Sequence, residues 1–133
     1  MLKGSCQCGA VIYEVDATPI DIYVCHCTEC RKQSSSAFGI SVIVPAEAMR
    51  IVEGKTRIWT RPTASGGEIL CLFCETCGSR ISHADPAEDV VSIKGGSLAS
   101  PVDLTGVKHI WTQSKLPGIT IPAGCESFER EPA

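Results

Sequence analysis

Cys74-Glu75-Thr76-Cys77-Gly78, read together with Cys6-Gln7-Cys8-Gly9 far upstream, decides how this chain is organised. A Cys-x-x-Cys turn lets two sulfurs converge while the intervening backbone N–H groups point at them. The glycine that follows permits the left-handed conformation that closes such a turn. A Cys-x-Cys pair is tighter, and its backbone must bend sharply to bring both sulfurs to one ion. Two such halves from distant parts of a chain point to a closed tetrahedral site, and zinc with four thiolates is its usual occupant. Cys6, Cys8, Cys74 and Cys77 make up that set. Working outward, Cys25-His26-Cys27-Thr28-Glu29-Cys30 places three more thiols in one short stretch. Three protein ligands leave one position for water or substrate, the arrangement of a catalytic zinc. His26, flanked by two of these ligands, and His83, His109 and Cys71 are the alternatives for a fourth donor. Cys71 and Cys125 otherwise read as ordinary thiols.

The chain has nine cysteines in 133 residues, an odd number that excludes complete internal disulfide pairing. Its start, Met1-Leu2-Lys3-Gly4-Ser5, shows no basic segment followed by an apolar one, and no apolar run is long enough to span a bilayer. A reducing, cytoplasmic setting is therefore expected, where clustered cysteines more often hold metal than form disulfides. Twelve Lys plus Arg against fifteen Asp plus Glu give a net charge of −3, which argues against nucleic acid as a partner. Seven thiolates on two zinc ions would carry that charge to about −6.

Hydrophobic residues form 44% and charged residues 20% of the chain, so it has the composition of one folded domain, read as residues 1–133. Ala10–Val15, Ile40–Val44, Arg50–Val52, Arg57–Thr60, Glu68–Phe73, Val90–Lys94 and Val107–Thr112 are β-prone, with glycine, proline or polar turns between them. Ala46–Met49 could form one helical turn, and Thr28–Ser35 is the one helical candidate of any length. These spacings predict a mainly β domain. With two Trp, two Tyr and three Phe, Val, Ile and Leu must fill most of the core.

The ordered motifs Gly4-Ser5-Cys6-Gln7-Cys8-Gly9-Ala10-Val11, Cys25-His26-Cys27-Thr28-Glu29-Cys30-Arg31-Lys32 and Phe73-Cys74-Glu75-Thr76-Cys77-Gly78-Ser79 resemble the glutathione-dependent formaldehyde-activating enzyme family, which includes centromere protein V. Gly96-Ser97-Leu98 and His109-Ile110-Trp111-Thr112-Gln113-Ser114-Lys115-Leu116-Pro117 extend the likeness, so it spans Gly4 to about Pro122. The resemblance implies an Mss4-like zinc-binding β fold with two zinc ions. Cys6, Cys8, Cys74 and Cys77 would bind a structural zinc, and Cys25, Cys27 and Cys30 a catalytic one. It also implies carbon–sulfur lyase chemistry, in which formaldehyde and glutathione combine as S-hydroxymethylglutathione. Family members often pair, so the resemblance leaves room for a homo-oligomer. The chain departs from the family pattern at Cys71, where arginine is usual, and at Gly118, where tryptophan is common.

The chemistry expected is addition of a thiol to a small aldehyde, or its reverse. Three thiolates leave zinc with a net charge of −1, which weakens its Lewis acidity and favours a role in holding the thiol. His26 and His83 are candidate proton carriers. Arg31 and Lys32 could receive an anionic group such as a glutathione carboxylate. The other reading is a non-catalytic zinc module that binds protein or nucleic acid. Dispersed basic residues and few aromatics count against a nucleic-acid platform.

Overall fold

Short β-branched stretches punctuated by turns fold into β1 (Leu2–Ser5), β2 (Ile12–Val15), β3 (Asp21–Cys25), helix α1 (Thr28–Ser34), β4 (Gly39–Pro45), β5 (Met49–Glu53), β6 (Thr56–Pro62), β7 (Glu68–Cys74), β8 (Arg80–Ala84), β9 (Val90–Lys94) and β10 (Lys108–Ile110). This is a computed structural model, and it describes residues 1–132. The strands make a three-stranded sheet ordered β1-β2-β5 and a seven-stranded sheet ordered β10-β3-β4-β9-β8-β7-β6. All pairings are antiparallel except that of β10 with β3. The fold is mainly β, as expected.

Strand alternation divides the larger sheet into two working faces, because successive side chains point to opposite sides. Val42 and Val44 of β4 and Val91 and Ile93 of β9 pair across one face. There they meet Ile81 of β8 and Val11, Tyr13 and Val15 beside the smaller sheet, and together these form the main core. Full burial of each such aliphatic side chain contributes roughly 1.5–3 kcal/mol. Tyr13 is fully buried, and its hydroxyl meets Ser97 Oγ at 2.7 Å, so its polar end is satisfied.

The opposite face carries the alternate residues. Trp59, Cys71, His83, Ser92 and Ile43 lie side by side on β6, β7, β8, β9 and β4. Lys94, Ser41 and Tyr23 form the next row, on β9, β4 and β3. Among the described residues no second sheet covers this polar face. A smaller apolar group of Cys25, Cys30 and Ile110, flanked by Tyr23, Trp111 and Phe128, closes one end.

Some expected elements change length. The β-prone stretch at 107–112 pairs only over Lys108–Ile110, because Trp111 takes a left-handed φ of 57° and Thr112 opens a short 3₁₀ turn. The turn expected at Ala46–Met49 is a 3₁₀ turn over Ala46–Ala48. Helix α1 ends at Ser34, with Ser35 at φ 51° as its left-handed cap.

Candidate metal centres and the cavity beside them

The turn after β1 and the turn after β7 meet at one end of the molecule. Sulfurs of Cys6, Cys8, Cys74 and Cys77 all lie within 4.8 Å of one another. Cys6 and Cys8 Sγ are 3.6 Å apart, and Cys8 and Cys74 Sγ are 3.9 Å apart. A tetrahedron with Zn–S bonds near 2.3 Å has edges of about 3.8 Å. A disulfide needs about 2.05 Å, and all nine cysteines are free. Backbone amides support the sulfurs: Val11 N–H donates to Cys6 Sγ at 3.2 Å and Thr76 N–H to Cys74 Sγ at 3.3 Å. Gly9 and Gly78 adopt φ of 82° and 80°, the left-handed turns that the two cysteine motifs require. Hydrogen bonds from Ser79 hold the Cys77 thiol down at a pKa of about 5. The four-thiol set fits a divalent ion, and its donors suit zinc.

Cys25 ends β3, Cys27 caps α1 and Cys30 sits in the first turn of α1, so one strand–helix junction gathers all three sulfurs within 4.8 Å. Cys27 Sγ accepts from Cys30 N–H at 3.3 Å. Hydrogen bonding from the neighbouring Cys25 and Cys30 thiols holds Cys27 as a thiolate, with its pKa pushed down to about 2. The same crowding pushes Cys25 upward. Three thiols this close cannot all ionise without a compensating cation, which is the fit expected of a metal-binding set.

No histidine joins either group among the described residues. His26 turns away from its two neighbours: its Nε2 lies 2.9 Å from His109 Nδ1, and the two rings stack with centroids 5.2 Å apart. Burial drives the His26 pKa down to about 4, and its Nδ1 is buried with no hydrogen-bond partner among the described residues. Arg31 and Lys32 diverge on α1, with only Lys32 reaching the cavity described next. Cys71 is buried on the polar sheet face, opposite His83, and stands outside both sulfur groups.

Cys25, Cys27 and Cys30 open onto a cavity of about 700 Å³ whose wall is the polar face of the larger sheet. Arg61, Arg80, His83 and Lys94 line it, with Trp59 and Trp111 at its edges. Lys3, Arg50, Arg57 and Lys108 have carboxylate partners, whereas Lys32, Arg61, Arg80 and Lys94 form no ion pair among the described residues. Arg80 instead stacks over Trp59, 5.3 Å from the ring centroid. Glu29, Asp85, Glu88 and Glu131 also line the cavity, and Glu131 accepts from the Trp111 indole at 2.9 Å. Lys94 is 8% exposed, and burial lowers its pKa. Its Nζ donates to His83 Nδ1. Sequence reading passed over Lys94, Ser92, Arg61 and Arg80. The available signal was Ser92 and Lys94 alternating with Val91 and Ile93, two polar residues on one side of a strand with an apolar other side.

A β fold that gathers a four-thiol group and a three-thiol group, the latter facing a cavity, defines a class of metal-binding cysteine proteins. The model of the glutathione-dependent formaldehyde-activating enzyme family matches residues 1–114, and the chain belongs to that family. Its Mss4-like β architecture is the one described above. A crystal structure of a Rhodobacter sphaeroides protein is similar, with a TM-score of 0.59 and 24% identity over 77% of this chain and 92% of that chain. At that identity the likeness concerns the fold. No helix among the described residues is long and apolar enough to cross a membrane.

Proposed function

We propose that the protein is a zinc-dependent catalyst of carbon–sulfur bond formation and cleavage, which adds a small-molecule thiol to an aldehyde or releases the two from their adduct. The observation that carries this reading is the three-thiol group of Cys25, Cys27 and Cys30 opening onto a cavity whose Lys32, Arg61, Arg80 and Lys94 form no ion pair among the described residues. Cys6, Cys8, Cys74 and Cys77 would hold a structural zinc, and Cys25, Cys27 and Cys30 a second one. Bound at the three-thiol group, zinc would supply a position at which a substrate thiol is held as its thiolate.

The chain's own residues then do the sorting and orienting. Arg61, Arg80 and Lys32 offer seats for carboxylates, so an acidic peptide-like thiol such as glutathione suits the cavity. Tyr23 and Ile110 supply apolar wall against which the carbon skeleton packs, with Trp59 at the open edge. Cys25 and Cys30 are buried, which fixes their geometry before substrate arrives. A setting that keeps nine free cysteines reduced, such as the cytoplasm, is part of the same proposal.

Zinc analysis of the purified protein with a thiol–aldehyde assay tests it. The wild type should carry two zinc ions per chain and form the adduct from glutathione and formaldehyde. Cys27→Ser should keep its β spectrum, lose one zinc and lose turnover. Full zinc loading without thiol binding or turnover would leave a metal-binding module and overturn the reading.

A further inference from the structure

On the cavity face, His83 stands between Cys71 of β7 and Ser92 of β9. Its Nδ1 accepts from the Lys94 ammonium, a group that can only donate. A neutral imidazole has one N–H, so that contact puts the proton on Nε2. The ring makes no other hydrogen bond to a described residue, and His83 lines the cavity. Beside it, Ser92 Oγ is buried and has no partner. Two donors on adjacent strands of the cavity wall thus lack an acceptor, and the residue that orients one of them is more than nine-tenths buried.

We propose that His83 holds the aldehyde oxygen through its Nε2–H, making it a catalytic residue, and that Lys94 is the residue that positions it. This rests on the proposed function, which puts the reacting thiol at Cys25, Cys27 and Cys30. As the C–S bond forms, the π pair of the C=O bond moves onto oxygen. That oxygen accepts from His83 Nε2–H and ends with the proton the thiol gave up, yielding RS–CH(OH)R′. The reverse step returns thiol and aldehyde, and no oxidant or reductant enters. A neutral imidazole donor suits this task because it stabilises the developing charge without first neutralising the thiolate. Burial and the Lys94 charge keep His83 neutral, with its pKa pushed down to about 3.

Two measurements on the zinc-loaded full chain test the assignment. Two-bond ¹H–¹⁵N spectra of ¹⁵N-histidine protein at pH 7 should show His83 neutral with the proton on Nε2, and Lys94→Met should mix the tautomers. A proton on Nδ1 or a cationic ring would overturn it. Thioacetate, which carries an S–C–O unit like that of the adduct, and ethanethiol are the binding probes. His83→Phe should weaken thioacetate about tenfold and leave ethanethiol unchanged, and His83→Gln should recover part of the loss because its amide still donates. Equal thioacetate affinity in wild type and His83→Phe, or no thioacetate binding to the wild type, sinks the inference. The oxygen site stands, and the catalytic reading falls, if the thioacetate preference is present while glutathione and formaldehyde are not turned over.

Discussion

Gly78 offers a measurement in which backbone conformation alone sets the size of the effect. It sits at φ 80° directly after Cys77, and a Cβ built on it would meet no heavy atom within 4 Å. Gly78→Ala therefore introduces no clash, and its cost is the left-handed conformation itself, about 1–2 kcal/mol. The residue's N–H donates to Cys74 O at 3.0 Å, closing the turn that aims Cys74 and Cys77 at a common point. On the premise that the strain is relieved when the metal leaves, the cost falls on binding: about 5- to 30-fold weaker zinc affinity at the four-thiol group. Competition against a chromophoric zinc chelator measures this directly, and a thermal melt of the zinc-loaded protein should show a loss of several degrees. Gly78→Asn is the control, because asparagine tolerates the left-handed region and should recover most of both losses. Gly54→Ala makes a useful contrast. At φ 88° its Cβ would lie 2.2 Å from Ala10 O, so it should melt well below Gly78→Ala. The reasoning is refuted if Gly78→Ala binds zinc within twofold of wild type, or if the asparagine variant is as impaired as the alanine one.

Two further expectations concern the frame. Ile93→Ala removes a fully buried side chain from the contact between the sheets, and should cost about 2–5 kcal/mol in urea unfolding of the zinc-loaded protein. Asp21, at the start of β3, accepts from Lys108 of β10 at 2.8 Å; although desolvation opposes it, Lys108 holds the carboxyl below its ordinary 3.8. A lowered carboxylate pKa means that the folded state binds the proton less readily than the unfolded chain. The pair's stabilisation is then present above pH 3.8 and lost as pH falls through the lowered value. Asp21→Asn should melt below wild type at pH 7, and the gap should close under acid. A gap that persists unchanged at low pH would count against the ion pair.

The sulfur sets were legible because their information is local: Cys-x-Cys, Cys-x-x-Cys and the glycine after each state their own geometry. The β-branched runs at Ile40–Val44 and Val90–Lys94 were legible for the same reason. Strand β1, with Lys3 and Gly4 at its centre, has too little alternation to stand out. Strand β8 is bulged, with a register shift opposite Leu72 and Phe73, and Arg80, Ser82 and His83 break its apolar pattern. The cavity was hidden because it is made by register. Nothing local tells Cys71, His83 and Ser92 that they are neighbours on three strands. Likewise, His26, between Cys25 and Cys27, is one of four alternatives for a fourth donor in the sequence. Only the fold brings it to His109, a partner 83 residues away.

The two faces of the larger sheet answer to different masters. Val42, Ile81 and Ile93 are bound by the volume between the sheets, and an alteration there is felt throughout the molecule. Residues on the cavity side, such as Trp59, Cys71 and Ser92, pack against no second sheet, so replacing them leaves the core's volume intact. A chain built this way can change what it accepts by drift on one surface of one sheet while its scaffold stays constant. Cys71 is one position on that surface, at the centre of β7 and facing the cavity. An arginine placed there would add a charge to the cavity wall and leave Val42, Ile81 and Ile93 untouched on the other side of the sheet.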